Sequence, residues 1–168
     1  QRQMCIRDSS VGGEEENKKA IARRIVEEME KGVLYILGAG TTVKAIADEL
    51  GVEKTLLGVD AVYNGRIVGR DLDEKGLLKL LDRYPRVKLI VTPIGGQGFI
   101  FGRGNQQISP EVIKRIGKEN IVIVATKRKL NRLDALRVDT GDEKVDEMLR
   151  GYVRVVADYH EDVVMKVV

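Results

Sequence analysis

Apolar runs and amphipathic stretches alternate along this chain, and the alternation predicts strands separated by helices. Ile21, Ile25 and Met29 recur at every fourth position and predict an amphipathic helix that ends at Gly32. Continuous apolar runs predict buried strands, because a strand covered on both faces shows no polar alternation. The strands predicted in this way are Val33 to Leu37, Thr55 to Val62, Val87 to Val91 and Ile121 to Ala125.

Capping residues and inward-facing apolar positions predict further helices between these strands. Ser109 and Pro110, for example, stand where an N-cap and a first helical residue are expected. Strands that alternate with helices favour an α/β fold with a mostly parallel sheet and flanking helices. The additional helices predicted are Val43 to Leu50, Glu74 to Tyr84, one that starts at Ser109-Pro110-Glu111, and Asp142 to Leu149.

Two hairpins are expected to add antiparallel strands to this sheet. The pair Asn64-Gly65 lies between apolar flanks, and both residues of such a turn need positive φ. A second, terminal hairpin is predicted from Tyr152 to Ala157 and from Val163 to Val168, around the charged turn Tyr159 to Asp162.

The first nine residues do not continue this pattern. Gln1 to Ser9 hold the one cysteine, Cys5, show no periodicity and lack the apolar core of a signal peptide. The string is typical of a translated sequencing adapter, and the alternative is a native disordered tail. We therefore expect a non-native or disordered leader at 1–9 and one α/β domain over 10–168.

Composition and charge narrow the classes of partner. The chain has 168 residues, with 29 Lys and Arg against 26 Asp and Glu, a net charge of +3. So small an excess does not predict a binder of nucleic acid or of anionic membranes. The apolar runs are too short to span a bilayer, which favours a cytoplasmic protein. One cysteine and one histidine exclude an internal disulfide and make a Cys/His metal centre implausible, so we predict no metal site built by protein ligands.

Glycine is the informative excess. The chain contains 18 glycines but only three prolines. This is about 11% glycine against a usual share of about 7%. Glycine without proline indicates close approach of the backbone to something, more than a flexible linker.

The first glycine cluster lies between a predicted strand and a predicted helix. Gly38 and Gly40 let the backbone approach a ligand, the N–H groups at the helix start favour an anion, and Thr41 and Thr42 add hydroxyl donors. The loop has Val43 in place of a third dinucleotide-motif glycine and no P-loop lysine, so a phosphate or carboxylate cradle fits better. The alternative is a tight turn with a threonine N-cap. The loop resembles the sugar-phosphate loops of the ribose-5-phosphate and glucosamine-6-phosphate isomerase superfamily.

The second cluster is a long loop predicted over Gly95 to Gln107. It combines five glycines, both phenylalanines of the chain, one arginine and several amides, and it follows the carboxyl end of a strand, where open α/β sheets place ligands. The alternative is a structural loop pinned by its aromatic pair. The candidate binding residues are Gly95, Gly96, Gln97, Gly98, Arg103, Gly104, Asn105 and Gln106.

Three acidic positions and one basic stretch remain ambiguous. Asp139 and Asp142 could meet a metal or a ribose hydroxyl, and so could Asp60 at a strand end. The alternative is local structure, in which Thr140 or Gly141 opens a helix and Asp142 is favourable near its positive end. The stretch Lys127 to Arg132 could reach a polyphosphate or could be a solvated surface segment. No Ser/His/Asp set or paired carboxylates appear, so no catalytic residue is predicted.

Taken together, these segments resemble the ATP-NAD kinase family, in its archaeal and bacterial branch associated with acetoin catabolism. The resemblance is carried by GVLYILGAGTTVKAIADELGVEKTLLGVDAV, VTPIGGQGFIFGRGNQQISPEVI and NIVIVATKRKL. It implies transfer of the ATP γ-phosphoryl group to the adenosine-ribose 2′-hydroxyl of NAD, with Mg²⁺ neutralising charge. ATP, NAD and Mg²⁺ are therefore the implied substrates and cofactor, and a homo-oligomer is expected.

The sequence departs from this family at one decisive motif. The family's Gly-Gly-Asp-Gly-Thr string does not occur in this chain. We therefore expect the C-terminal part of an NAD kinase-like enzyme, inactive alone. One alternative is a non-catalytic module that binds a nucleotide or sugar phosphate through the strand-GxGTT-helix loop, and another is a purely structural or oligomerisation domain.

Overall fold

The computed structural model describes residues 11–168, so the leader predicted at 1–9 lies outside the described residues. Helices and strands alternate through most of this range. The helices are α1 Val11–Glu28, α2 Thr41–Leu50, α3 Glu74–Arg83, α4 Pro110–Ile116, α5 Lys127–Asn131 and α6 Glu143–Leu149, with a 3₁₀ turn at Lys118–Asn120. The strands are β1 Leu34–Leu37, β2 Asp60–Tyr63, β3 Arg66–Gly69, β4 Val87–Val91, β5 Phe99–Phe101, β6 Ile121–Val124, β7 Arg137–Val138, β8 Gly151–Val156 and β9 Asp162–Val167.

Seven of the strands form one sheet in the order β3-β2-β1-β4-β6-β8-β9. Its four central strands, β1, β4, β6 and β8, are parallel, and each outer pair is an antiparallel hairpin. This confirms the predicted α/β class with a mostly parallel sheet and added hairpins. Because the central strands are parallel, the loops that follow them leave the sheet along one side, which we call the carboxyl edge.

Apolar cores cover both faces of the sheet. One core contains α1 and α2, and the other contains α3, α4, α6 and the small two-stranded sheet β5-β7. Strand β1 supplies both cores in alternation, with Leu34 and Ile36 on one side and Tyr35 and Leu37 on the other. Its uninterrupted apolar run is therefore the pattern of a strand that is buried on both faces.

The turn chemistry of the sequence is confirmed at two places, the Asn64-Gly65 turn and the start of α4. Asn64 and Gly65 have φ of 51° and 78° in the turn between β2 and β3. Ser109 accepts a hydrogen bond from the Val112 backbone N–H, and Pro110 is the first residue of α4.

The prediction of a strand from Thr55 is wrong, because β2 begins only at Asp60. The Lys54 ammonium donates to the backbone oxygens of Thr55 and Gly58, each at 2.8 Å. The Asp60 carboxylate accepts from the Thr55 backbone at 2.7 Å. These bonds close residues 54–60 into a compact loop instead of an extended strand.

Short elements also appear where none was predicted. Residues 99–101 lie inside the predicted irregular loop, yet they form β5 and pair in parallel with β7. Residues 127–131 form α5, with Thr126 as the N-cap that accepts from the Lys129 backbone at 3.2 Å. No helix within residues 11–168 is long and apolar enough to cross a membrane.

Candidate functional site at the carboxyl edge

The loop after β1 is pressed against the end of β4. The Gly38 backbone N–H donates to the Ile90 oxygen at 2.9 Å. A Cβ on Gly40 would lie 2.7 Å from the Cγ2 atom of Thr92, and Gly40 has a φ of 116°. The two glycines therefore allow a close approach that any larger residue would prevent.

This loop ends in a helix start that no side chain of residues 11–168 caps. Gly40 occupies the N-cap position of α2, so the predicted threonine N-cap is not formed. The first helical bond runs from the Lys44 N–H to the Gly40 oxygen at 3.0 Å. Among residues 11–168, no group accepts from the N–H groups of Thr41, Thr42 and Val43. Thr41 is exposed, and these donors lie at the positive end of the helix dipole.

A neighbouring loop supports this turn from the side. The Gly40 N–H donates to the Leu56 oxygen at 3.2 Å. The loop that contains Leu56 is held by Asp60, which is fully buried and also accepts from the Thr55 hydroxyl at 2.9 Å and the Asp71 N–H at 2.6 Å. Both carboxylate oxygens of Asp60 are thus engaged within the protein, which favours its structural interpretation over a ligand contact.

The same loop buries a lysine. The Lys54 ammonium lies 3.9 Å from the Asp60 carboxylate, and neither side chain is exposed. Burial lowers the pKa of Lys54, against the opposing attraction of Asp60 and Asp71. The pair supports the turn at Gly40 and leaves Leu57, which is 80% exposed, pointing away from the protein.

The glycine-rich loop after β4 divides into an exposed part and a packed part. Residues Gly95, Gly96 and Gln97 are exposed, and the Lys129 ammonium donates to the Gly95 oxygen at 2.8 Å. Since Lys129 belongs to α5, which follows β6, this contact places Gly95 at the carboxyl edge together with Gly40.

In the packed part, the glycines allow close contact with other segments of the same chain. A Cβ on Gly98 would lie 2.9 Å from the Ala135 oxygen, and one on Gly102 would overlap the Asp139 carbonyl oxygen. A Cβ on Gly104 would approach the Ile94 side chain to 3.1 Å. The contacts of Gly98 and Gly102 dock β5 against the segment around β7, whereas the structural alternative predicted a loop pinned by its aromatic pair.

The polar residues of the packed part differ in their exposure. Asn105 is 1% exposed, and its side chain donates to the Ile100 oxygen at 2.9 Å, so it holds the loop from inside. Arg103 and Gln106 are exposed, and the Arg103 guanidinium lies 4.4 Å from the centre of the Phe99 ring. Arg103 therefore remains available to an anion.

The predicted acidic segment after β7 serves the start of α6. Asp142 is the N-cap, and its carboxylate accepts from the Lys144 and Val145 backbones at 2.9 and 3.2 Å. Asp139 is exposed, and its N–H donates to the Phe101 oxygen at 3.1 Å. Asp139 thus lies next to the part of the packed loop that contains Arg103. Asp60, by contrast, lies within the loop of residues 54–60 that supports the turn at Gly40.

Sequence reasoning missed a cleft beside this edge. It has a volume of about 600 Å³, and its lining includes Asn17, Arg23, Lys127, Arg128 and Asp158, but none of the predicted binding residues. The Lys127 ammonium pairs with Asp158 at 2.8 Å, and that hydrogen bond raises the pKa of Lys127. The signal was Asn17, which lies four residues before Ile21 on the apolar stripe of α1 and places a buried amide there.

Thr92 was also not predicted as a site residue. It directly follows β4 and contacts Gly40. Within residues 11–168, no group of three or more His, Cys, Asp or Glu side chains is arranged to hold a metal ion. The described part of the edge therefore offers backbone N–H groups, hydroxyls and cations, which are donors suited to an anion.

The fold and this edge define an α/β domain of the kind that places ligands at the carboxyl ends of parallel strands. Residues 30–167 match the family model described as the ATP-NAD kinase C-terminal domain. The chain belongs to this family, which confirms the resemblance read from the sequence. Searches among curated proteins and among solved structures gave no match.

Proposed function

We propose that this domain binds the phosphates of a nucleotide for an NAD kinase-like enzyme of the cytoplasm. In the reaction, the 2′-oxygen of the NAD adenosine ribose bonds to the γ-phosphorus of ATP, the bond to the β–γ bridging oxygen breaks, and ADP and NADP leave. The observation that carries the proposal is the uncapped start of α2 at the carboxyl edge, in a chain whose residues 30–167 match this family.

The residues at the edge divide the work of holding phosphates. Gly38 and Gly40 shape the turn, and Thr41 and Thr42 add hydroxyls to the helix N–H groups. Arg103 would neutralise a phosphate from the second loop, assisted by the exposed segment Gly95 to Gln97. Asn105 and Gly104 maintain that loop, while Mg²⁺ would arrive on the phosphates of ATP, where it supplies charge neutralisation.

We further propose that this chain does not complete the phosphoryl transfer alone. Such chemistry depends on positioning the acceptor hydroxyl and on neutralising charge. The sequence contains no Gly-Gly-Asp-Gly-Thr string, and Asp60 is engaged by Thr55 and Asp71. The ligand would thus bind here while the acid that orients the hydroxyl comes from elsewhere in the enzyme.

The test combines binding with turnover. Titration calorimetry of the purified chain with ATP and with NAD is expected to show binding, while incubation with ATP, Mg²⁺ and NAD yields no steady NADP. Arg103→Ala is expected to weaken ATP binding by roughly tenfold, because a charge-assisted contact is lost. Arg66→Ala is the matched control, since Arg66 is an exposed arginine on the outer strand β3.

The outcomes separate three interpretations. Steady NADP formation would disprove the need for another part of the enzyme. Binding of ribose 5-phosphate without binding of ATP or NAD would favour the non-catalytic sugar-phosphate module, which uses the same open helix start. Equal ATP affinity in both arginine variants would remove Arg103 from the site.

A further inference from the structure

Two buried threonines meet the open helix start with hydroxyls that have no protein partner. Thr42 is 7% and Thr92 is 6% exposed. Within residues 11–168, neither hydroxyl makes a hydrogen bond, whereas those of Thr126 and Thr140 do. In that same range, no completely buried side-chain polar atom lacks a partner. The oxygens of Thr42 and Thr92 must therefore reach the surface, although almost all of the rest of each side chain is covered.

The two threonines approach the same turn from different elements. Thr42 is the second residue of α2, directly after the N-cap Gly40 and Thr41. Thr92 follows β4, and its Cγ2 atom is the nearest neighbour of a Cβ built on Gly40. The methyl group of Thr92 therefore faces the glycine, and the hydroxyl on the same Cβ atom lies more than 4 Å from that position.

A hydroxyl in such a position is carried by a largely covered side chain, and within residues 11–168 it has no protein partner. Groups in this state are uncommon, because desolvation of a polar group is costly unless a hydrogen bond replaces the water. A ligand with several acceptor oxygens would satisfy both hydroxyls together with the N–H groups of Thr41, Thr42 and Val43.

We propose that the hydroxyls of Thr42 and Thr92, with the first N–H groups of α2, form a subsite for one phosphate group of a nucleotide or phosphomonoester. This inference rests on the proposed function and adds Thr92, which directly follows β4, as a binding residue. A cation is available at the same edge, because the Lys129 ammonium reaches the Gly95 oxygen at 2.8 Å.

The test separates the effect of the Thr92 hydroxyl on ligand binding from the effect of the shape of its side chain. Thr92→Val removes the hydroxyl and keeps the branched form, whereas Thr92→Ser keeps the hydroxyl and removes the methyl that faces Gly40. With ATP, NAD and inorganic phosphate as probes in titration calorimetry, Thr92→Val and Thr42→Val are each expected to weaken binding by roughly tenfold or more. Thr92→Ser is expected to stay within about threefold of the unchanged protein, since it keeps the donor.

The outcomes distinguish this subsite from the proposed function. If the unchanged chain binds ATP or NAD and both valine variants bind equally well, the subsite is wrong and the proposed function stands. If the unchanged chain binds none of the three probes, both fail. Amide NMR of the unchanged chain gives a measurement that needs no variant. Inorganic phosphate is expected to shift the amide signals of Thr41, Thr42 and Val43, and unmoved signals would overturn the subsite.

Discussion

The loops after β1 and β4 are both rich in glycine and both leave parallel strands, yet they use glycine in opposite ways. In the first loop, Gly38 and Gly40 bring the turn against β4 and leave a helix start open to solvent. In the second, Gly98 and Gly102 bring the loop against its own chain near Ala135 and Asp139. Glycine therefore marks a close backbone approach, but the neighbour it admits can be the protein itself.

The difference also concerns the polar side chains of the two loops. In the second loop, the Asn105 side chain donates to the Ile100 oxygen and accepts from the Gly102 N–H. At the first loop, by contrast, the hydroxyl of Thr42 forms no hydrogen bond within the described residues, and neither does that of Thr92, which follows β4 and contacts Gly40. The loop after β4 has more glycines and amides in its sequence, yet Asn105 is bonded within the loop itself. The shorter loop after β1 leaves more hydrogen-bond donors without a partner among the described residues.

The largest effect is expected where the second loop meets its own chain. Gly102→Ala would place a Cβ on the Asp139 carbonyl oxygen at a φ of 99°. Backbone strain and overpacking together should lower the free energy of unfolding by about 5 kcal/mol, measured by urea denaturation. Gly96→Ala is the control, since no atom lies within 4 Å of its Cβ position. Its expected change is below about 0.5 kcal/mol, and equal losses in both variants would contradict the comparison.

A somewhat smaller effect is expected from the buried pair that supports the first loop. Lys54→Met leaves the oxygens of Thr55 and Gly58 without their donor and Asp60 without its cation. Breaking a buried pair in this way should cost about 4 kcal/mol of unfolding free energy. The measurement is urea denaturation at neutral pH, and a change below about 1 kcal/mol would show that this pair does not hold the loop.

The same variant has a pH signature with a definite sign. The pKa of Lys54 in the folded protein is lowered from 10.5 by burial, so just below that pH the unfolded chain holds the proton more tightly. Stability from this group therefore rises with pH between the folded and unfolded pKa values. The difference in stability between the unchanged protein and Lys54→Met should grow from pH 8 toward about pH 10.5, and a shrinking difference would contradict the assignment.

The smallest stability effect is paired with a binding effect. Gly40→Ala meets the Thr92 methyl at 2.7 Å and should cost about 3 kcal/mol. Gly51 ends the same helix with a positive φ, and no described atom lies within 4 Å of its Cβ position. Gly51→Ala should therefore lower the free energy of unfolding by only about 1 kcal/mol. Titration with ATP is expected to show a loss in Gly40→Ala alone, and a loss in both variants would mean that stability, not the turn, governs binding.

Much of the fold could be predicted from the sequence, because its longer elements carry strong patterns. The apolar run of β4, the Asn64-Gly65 turn and the Ser109-Pro110 helix start are all confirmed. The strand predicted from Thr55 was wrong because a tertiary network around Lys54 and Asp60 overrode local β propensity. Two- and three-residue strands such as β5 and β7 were missed because they are too short to show a period.

The positions of the loops that form the candidate site could be predicted better than their contacts. The turn at Gly38 and Gly40 was placed correctly at a strand end beside a helix start. The burial of Asp60 and Asn105 could not be predicted, because it depends on tertiary contacts. Asp60, for example, accepts a hydrogen bond from the backbone of Asp71, 11 positions away. Thr92 carried no motif of its own, and only its contact with Gly40 distinguishes it.

Helix α1 lies before the residues 30–167 that match the family, yet Asn17 fastens the carboxyl edge. Its amide donates to the Ala157 oxygen at 2.7 Å, across 140 positions, and its carbonyl accepts from the Lys127 N–H at 2.8 Å. During synthesis on the ribosome, α1 emerges long before either partner exists. Its apolar face can pack early against α2 and β1, but the amide of Asn17 gains these partners only after Ala157 has been translated. The edge is therefore completed only after β8 has been made.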